Sequence, residues 1–169
     1  MNLTTERLQI CTITEADRSL YCQIYCDPLA MQFVAPAYDR AKAERCFSYA
    51  LKESQKSEQN LCLMSVAWRS CGSKIGICGF QRLAHNDGAF EPGFMLLPNI
   101  LGKGVGTELV RALCQELFCQ TAATQIWLQY RADNVAADRL VKRLGFTVEY
   151  QADTNSNSET PTGRVILRR

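Results

Sequence analysis

Between residues 89 and 117 a strand-like run gives way to a helix, and the joint holds glycine at positions 102, 104 and 106. The run AFEPGFML carries a proline that cannot donate a ladder hydrogen bond, so an irregular strand is expected there. Beyond the joint, Val105, Leu109, Ala112, Leu113 and Leu117 recur at helical spacing and predict an apolar face. Two glycines would suffice for a turn. Three in alternate places let backbone amides crowd against a ligand at the point where a new helix offers unpaired N–H groups and the positive end of its dipole. The joint therefore predicts a phosphate cradle.

The usual nucleotide loops do not fit it. A mononucleotide loop needs a glycine five residues ahead of Gly102, and Leu97 stands there; Gly102-Lys103 is then followed by Gly104 in place of Ser or Thr. The dinucleotide pattern fails at Thr107, where its third glycine should be, and the joint comes late in the chain after hairpins.

The order of elements supports one domain over residues 1–169. Strands are expected at residues 8–12, 61–68, 74–83, 89–96 and 125–130, with two more in FTVEYQ and GRVILR. Thr14 with Asp17 three residues on resembles a capping box, and the helix that it opens stops at Asp27-Pro28. A short turn is expected over residues 29–34, a second helix over 41–53, and a last one over 134–144, closed by Gly145. Residues 152–163, ADTNSNSETPTG, read as a loop between the final strands. The sum is a mixed α/β fold in which antiparallel hairpins feed a βαβ crossover.

Composition excludes several other classes. The formal net charge of +2 and the lack of a basic, aromatic-laced stripe leave no basis for nucleic-acid binding. No apolar run reaches the length of a membrane span, and MNLTTERLQI is not a secretory signal, so a cytoplasmic protein is expected. The nine cysteines are scattered without a Cys-x-x-Cys pair, and His85 is the sole imidazole, so no metal site and no activated cysteine are expected. The cysteines read instead as reduced small hydrophobes.

Three segments together resemble the GNAT superfamily of acyl-CoA-dependent N-acetyltransferases, in particular the Rim-type branch that acetylates the N-termini of ribosomal proteins. They are the opening TERLQICTITEADRSLYCQIYCDPLAMQFV, the glycine joint, and RADNVAADRLVKRLGF. The resemblance implies a mainly antiparallel sheet of six to seven strands with a central splayed parallel pair and helices on both faces. It implies acetyl-CoA as cofactor and a primary amine, on a protein N-terminus or a small molecule, as acceptor. The family's pyrophosphate loop falls on Leu101, Gly102, Lys103, Gly104, Val105 and Gly106, with Thr107 following. Phe94, Met95 and Leu96 are placed along the pantetheine arm, and Asn134 near its end.

Glu91 matches the acidic position that often serves the family as general base. Its neighbours Phe90, Pro92, Gly93 and Phe94 are expected to desolvate it. The chain departs from the family at Leu101, where Gln or Arg is usual, at Val141, where a proton-donating tyrosine is common, and at Ala137, where the branch often has serine. The thiolate then leaves unaided or takes a proton from another hydroxyl, for which Tyr130 is the candidate. The same departures support an alternative, an acyl-CoA-binding protein without catalysis. The early segment with Tyr38 is placed at the acceptor by the resemblance alone. The sequence leaves the oligomeric state open, a homodimer among the forms it admits.

Overall fold

The computed structural model describes residues 2–56, 60–84, 88–151 and 162–169. The expected first strand forms as Leu8–Thr12 (β2), but a shorter one, Asn2–Thr4 (β1), precedes it and pairs with it antiparallel. This edge strand, Asn-Leu-Thr with only Leu3 turned to the core, is three residues long, too short to show a period, and it raises the strand number to eight from the six to seven expected. The Thr14–Asp17 pair works as a cap: the Asp17 carboxylate accepts from the Thr14 amide at 2.8 Å, opening a 3-10 turn and then helix α1, Arg18–Tyr25. The expected turn after Pro28 is instead a single helical turn, α2, Pro28–Met31. Asp27 accepts from the Leu29 and Ala30 amides there, and proline occupies a position where its missing N–H costs nothing. Helix α3 spans Arg40–Ser54, capped by Asp39.

Three strands follow: β3, Leu61–Trp68; β4, Lys74–Arg82; and β5, Ala89–Leu96. After the glycine joint come helix α4, Val105–Gln120, strand β6, Gln125–Arg131, and helix α5, Val135–Arg143. Strands β7, Thr147–Gln151, and β8, Thr162–Arg168, complete one sheet ordered β1-β2-β3-β4-β5-β6-β8-β7. Gly163 and the residue before it belong to β8, while the rest of the expected 152–163 loop and His85 lie outside the described residues. Every neighbouring pair is antiparallel except β5 with β6.

Two cores clothe the sheet. Helix α4 buries Val105, Leu109, Val110, Leu113, Cys114 and Leu117 against Cys62, Met64, Val66 and Phe80. Ala112, expected on that face, is only half-buried, and Val110 and Cys114 take the inner positions. The opposite sheet face packs Leu61, Leu63, Ile77 and Met95 under Tyr21, Ile24 and Phe47 of α1 and α3. Side chains alternate across a strand, so on β5 Phe90 and Phe94 join the α4 core while Glu91 and Met95 face α1 and α3.

Four cysteines are buried, three half-buried, and Cys71 and Cys119 exposed; all nine are free thiols. Among the described residues no cluster could hold a metal ion, and no helix is long and apolar enough to cross a membrane.

Candidate active site

The parallel pairing of β5 with β6 lasts two residue pairs, Ala89 with Gln125 and Phe90 with Ile126, and then stops. Beyond it the strands diverge while each stays paired on its far side, β5 with β4 through Leu96 and β6 with β8 through Arg131. A cleft opens between them, edged by backbone groups of residues 91–96. Glu91 is the first residue past the fork. The residue is half-buried, and its carboxylate accepts an exposed hydrogen bond from Gln81 Nε2 at 2.9 Å, across the register pair Gln81–Glu91.

The glycine joint follows β5, and its three glycines answer two different needs. Gly102 and Gly104 adopt left-handed backbone, at φ +79° and +73°, and Gly104 is the N-cap of α4. A Cβ on Gly102 would meet nothing within 4 Å, so the loop is open at that residue. Gly106 is helical, and a Cβ there would lie 3.0 Å from the Phe94 ring and 3.3 Å from Leu140; its hydrogen lets the helix start close against β5 and α5. Among the described residues, no amide of residues 102–107 donates to a backbone acceptor. This row of donors at a helix N-terminus fits a diphosphate.

A brace that the sequence did not reveal holds the joint. Glu108, in the first turn of α4, accepts from the Thr5 hydroxyl at 2.5 Å, the Arg7 amide at 3.0 Å and Arg7 Nε at 2.6 Å. Arg7 Nη1 also donates to the Lys103 carbonyl at 2.9 Å, reaching from the β1–β2 turn into the glycine loop. Burial pushes the Glu108 carboxyl up, but its hydrogen bonds from Thr5 and Arg7 outweigh this and hold it below the usual range. An acid in a first helical turn is a recognisable signal, but nothing in the sequence pairs it with an arginine 101 residues away.

The remaining expected residues fall around the cleft. Asn134 is the N-cap of α5, its Oδ1 accepting from the Ala137 amide at 3.0 Å. Tyr130 lies on β6 but packs with the α4 core, on the sheet face opposite Glu91. Its hydroxyl donates to Asp138 at 3.2 Å, and burial together with that carboxylate pushes its pKa up. Val141 is 3% exposed and belongs to the core. Of the basic residues near α5, Arg131 pairs with Asp133 and Lys142 with Asp138. Arg131 also donates to the Gln32 carbonyl at 3.4 Å, tying the end of β6 to the segment after α2. Trp68 packs against the α4 core, and the Trp127 ring lies under Arg164.

Comparisons with known proteins agree with this fold. The chain is 26% identical over 149 residues to an uncharacterized N-acetyltransferase p20 of Bacillus licheniformis, covering 87% of this chain and 83% of that one. Its fold matches a ribosomal L7/L12 α-N-protein acetyltransferase, RimL, solved with coenzyme A, at a TM-score of 0.84 and 13% identity, covering 99% of this chain and 98% of that one. It matches a spermidine N-acetyltransferase from Vibrio cholerae, solved with coenzyme A and spermine, at 0.82 and 14%, covering 97% and 96%. The model of the acetyltransferase (GNAT) domain family matches residues 7–147, and the chain belongs to that family of acetyltransferases.

Proposed function

We propose that the protein moves an acetyl group from acetyl-CoA to a primary amine by direct attack. The observation that carries the reading is the position of Glu91: a carboxylate at the first residue past the β5–β6 fork, on a strand that leads to a row of amides with no backbone acceptor among the described residues. In this reading the amides of residues 102–107 hold the pyrophosphate of coenzyme A. The diverging edge of β5 at Phe94, Met95 and Leu96 pairs with the amide-bearing arm as an added strand would. Leu101 offers the anion no polar side chain, so the backbone carries this contact. With its Oδ1 engaged in the helix cap, Asn134 has its amide NH2 to offer the arm.

An amine attacks only in its neutral form. Glu91 takes one proton from the ammonium form, directly or through a water, and passes it to solvent; the second proton, which the nitrogen sheds as it becomes an amide, follows the same path. The N–C bond forms as the C–S bond breaks, and the sulfur leaves with the electron pair. A thiol of pKa about 8.5 leaves readily as the anion. Tyr130 is a poor acid for it, because its raised pKa makes the transfer uphill and Asp138 holds its proton. We assign Tyr130 a hydrogen-bonding part at most. The protein is read as cytoplasmic.

The test is acetyl transfer followed by mass spectrometry. Glu91→Gln lowers kcat by roughly 10²-fold, within the usual range for a general base, and leaves acetyl-CoA affinity within about twofold. Tyr130→Phe changes kcat by less than about threefold. Undiminished turnover in Glu91→Gln removes the base assignment. Binding of acetyl-CoA without turnover of any acceptor favours the alternative, a binding protein whose apolar Val141 and Ala137 mark lost catalysis.

A further inference from the structure

On the sheet face away from α4 a groove of about 400 Å³ lies between α1, α3 and β3. Its floor is Leu61 and Leu63. Four tyrosines wall it: Tyr21 and Tyr25, stacked at 4.0 Å between ring centroids, Tyr38, 5.5 Å from Tyr25, and the largely exposed Tyr49. The strand register ties this groove to Glu91. Leu61 pairs with Gln81, and Gln81 pairs with Glu91. All three sit on one sheet face, and two strand spacings, roughly 10 Å, span the row. Beside Glu91 on that face stands Gly93, where an added Cβ would meet nothing within 4 Å, so the surface next to the carboxylate is open there.

The charges here have one sign. Arg45 is the charged residue in the lining, and no carboxylate lines the groove among the described residues. Tyrosine faces can attract an ammonium group, but the protein's own Lys42 already sits over the Tyr38 ring, 3.9 Å from its centroid. A second ammonium, as on a polyamine or an aminoglycoside, would enter beside two positive side chains, Lys42 and Arg45. A flat apolar group would stack on the rings and bury against the leucines.

Resting on the acetyl-transfer reading, we propose that this groove selects the acceptor: a primary amine that bears an aromatic side chain and no second positive charge. The side chain lies among the four tyrosines, the amine points along the row to Glu91, and Arg45 favours a neutral or anionic remainder. The specificity is thus built by α1 and α3, away from the coenzyme loop.

The test uses the full chain with acetyl-CoA and three acceptors: the peptides Phe-Ala-Ala-Ala and Lys-Ala-Ala-Ala, and spermidine. The expected kcat/KM for the first exceeds both others at least tenfold. Arg45→Glu, at an exposed position, narrows that ratio at least fivefold. A second readout needs no turnover. Cys46 lines the groove and is half-buried, so the Phe peptide slows its alkylation by N-ethylmaleimide severalfold and leaves the exposed Cys71 and Cys119 unaffected as internal controls. Preference for spermidine or the Lys peptide overturns the proposal. So does absence of Cys46 protection in a protein that binds acetyl-CoA. If acetyl-CoA itself does not bind, the acetyl-transfer reading falls, and Cys46 protection still reports whether the groove takes the aromatic group.

Discussion

Replacing Arg7 by alanine tests whether the glycine loop is held by tertiary contacts. The substitution keeps the Arg7 amide bond to Glu108 and removes two others, Nε to the carboxylate at 2.6 Å and Nη1 to the Lys103 carbonyl at 2.9 Å. A hydrogen bond to a charged group contributes about 1.5–3 kcal/mol, and a solvent-exposed ion pair about 0–1 kcal/mol. Here the carboxylate is 18% exposed and the guanidinium 40%, so the contact falls between these limits, at about 1.5 kcal/mol. For a chain of this size that lowers Tm by roughly 3–6 °C. Glu108→Ala strands the Thr5 hydroxyl and the Arg7 amide as well, and costs about 2 kcal/mol. The two changes share one contact, so the double variant loses less than the sum, with a coupling of about 1 kcal/mol. The assay is thermal and urea unfolding of the four proteins by circular dichroism. A carboxyl held below its ordinary value of 4.5 contributes stability above that value and loses it as the pH falls through the lowered one, so the advantage over Arg7→Ala disappears in acid. A coupling under about 0.3 kcal/mol, or an advantage unchanged in acid, would refute the brace.

Two further outcomes are expected. Gly104→Val places a β-branched residue at φ +73°, which costs at least about 1–2 kcal/mol and turns the N-cap amides; the acetyl-CoA Kd rises at least tenfold by calorimetry, while far-UV circular dichroism stays unchanged. Brief alkylation of the native protein, read by mass spectrometry, modifies Cys71 and Cys119 first: Cys71 is exposed and its pKa is lowered by the Ser73 hydroxyl, whereas burial pushes the Cys114 thiol up to about 12 and Cys78 higher still.

Much of the fold is legible in the residues because the apolar periods are strong. Strands Leu61–Trp68 and Ala89–Leu96 stand where their apolar runs and the turn signals between them put them, and α4 begins at the glycines. Strand β1 escapes because three residues with a single leucine at a sheet edge carry no period, and α2 because Pro28 reads as a stop when it is a first helical turn. At the site, the donor row is foreseen by glycine spacing. The third glycine has another cause: Gly106 serves packing against Phe94, not a left-handed turn. What the sequence hides is set by register and long-range contact. The place of Glu91 at the fork depends on where two strands stop pairing, the Tyr130–Asp138 bond depends on how α5 settles on β6, and Arg7 meets Glu108 only once β2 and α4 lie on one sheet.

The central claim is that the amides of residues 102–107 bind the pyrophosphate of acetyl-CoA. Isothermal titration of the protein with acetyl-CoA, with ATP and NAD in parallel, tests it without interference from the nine thiols. The account predicts saturable one-to-one binding of acetyl-CoA in the micromolar range and no comparable heat from the other two. No saturable heat from acetyl-CoA, or equal binding of all three, would contradict it.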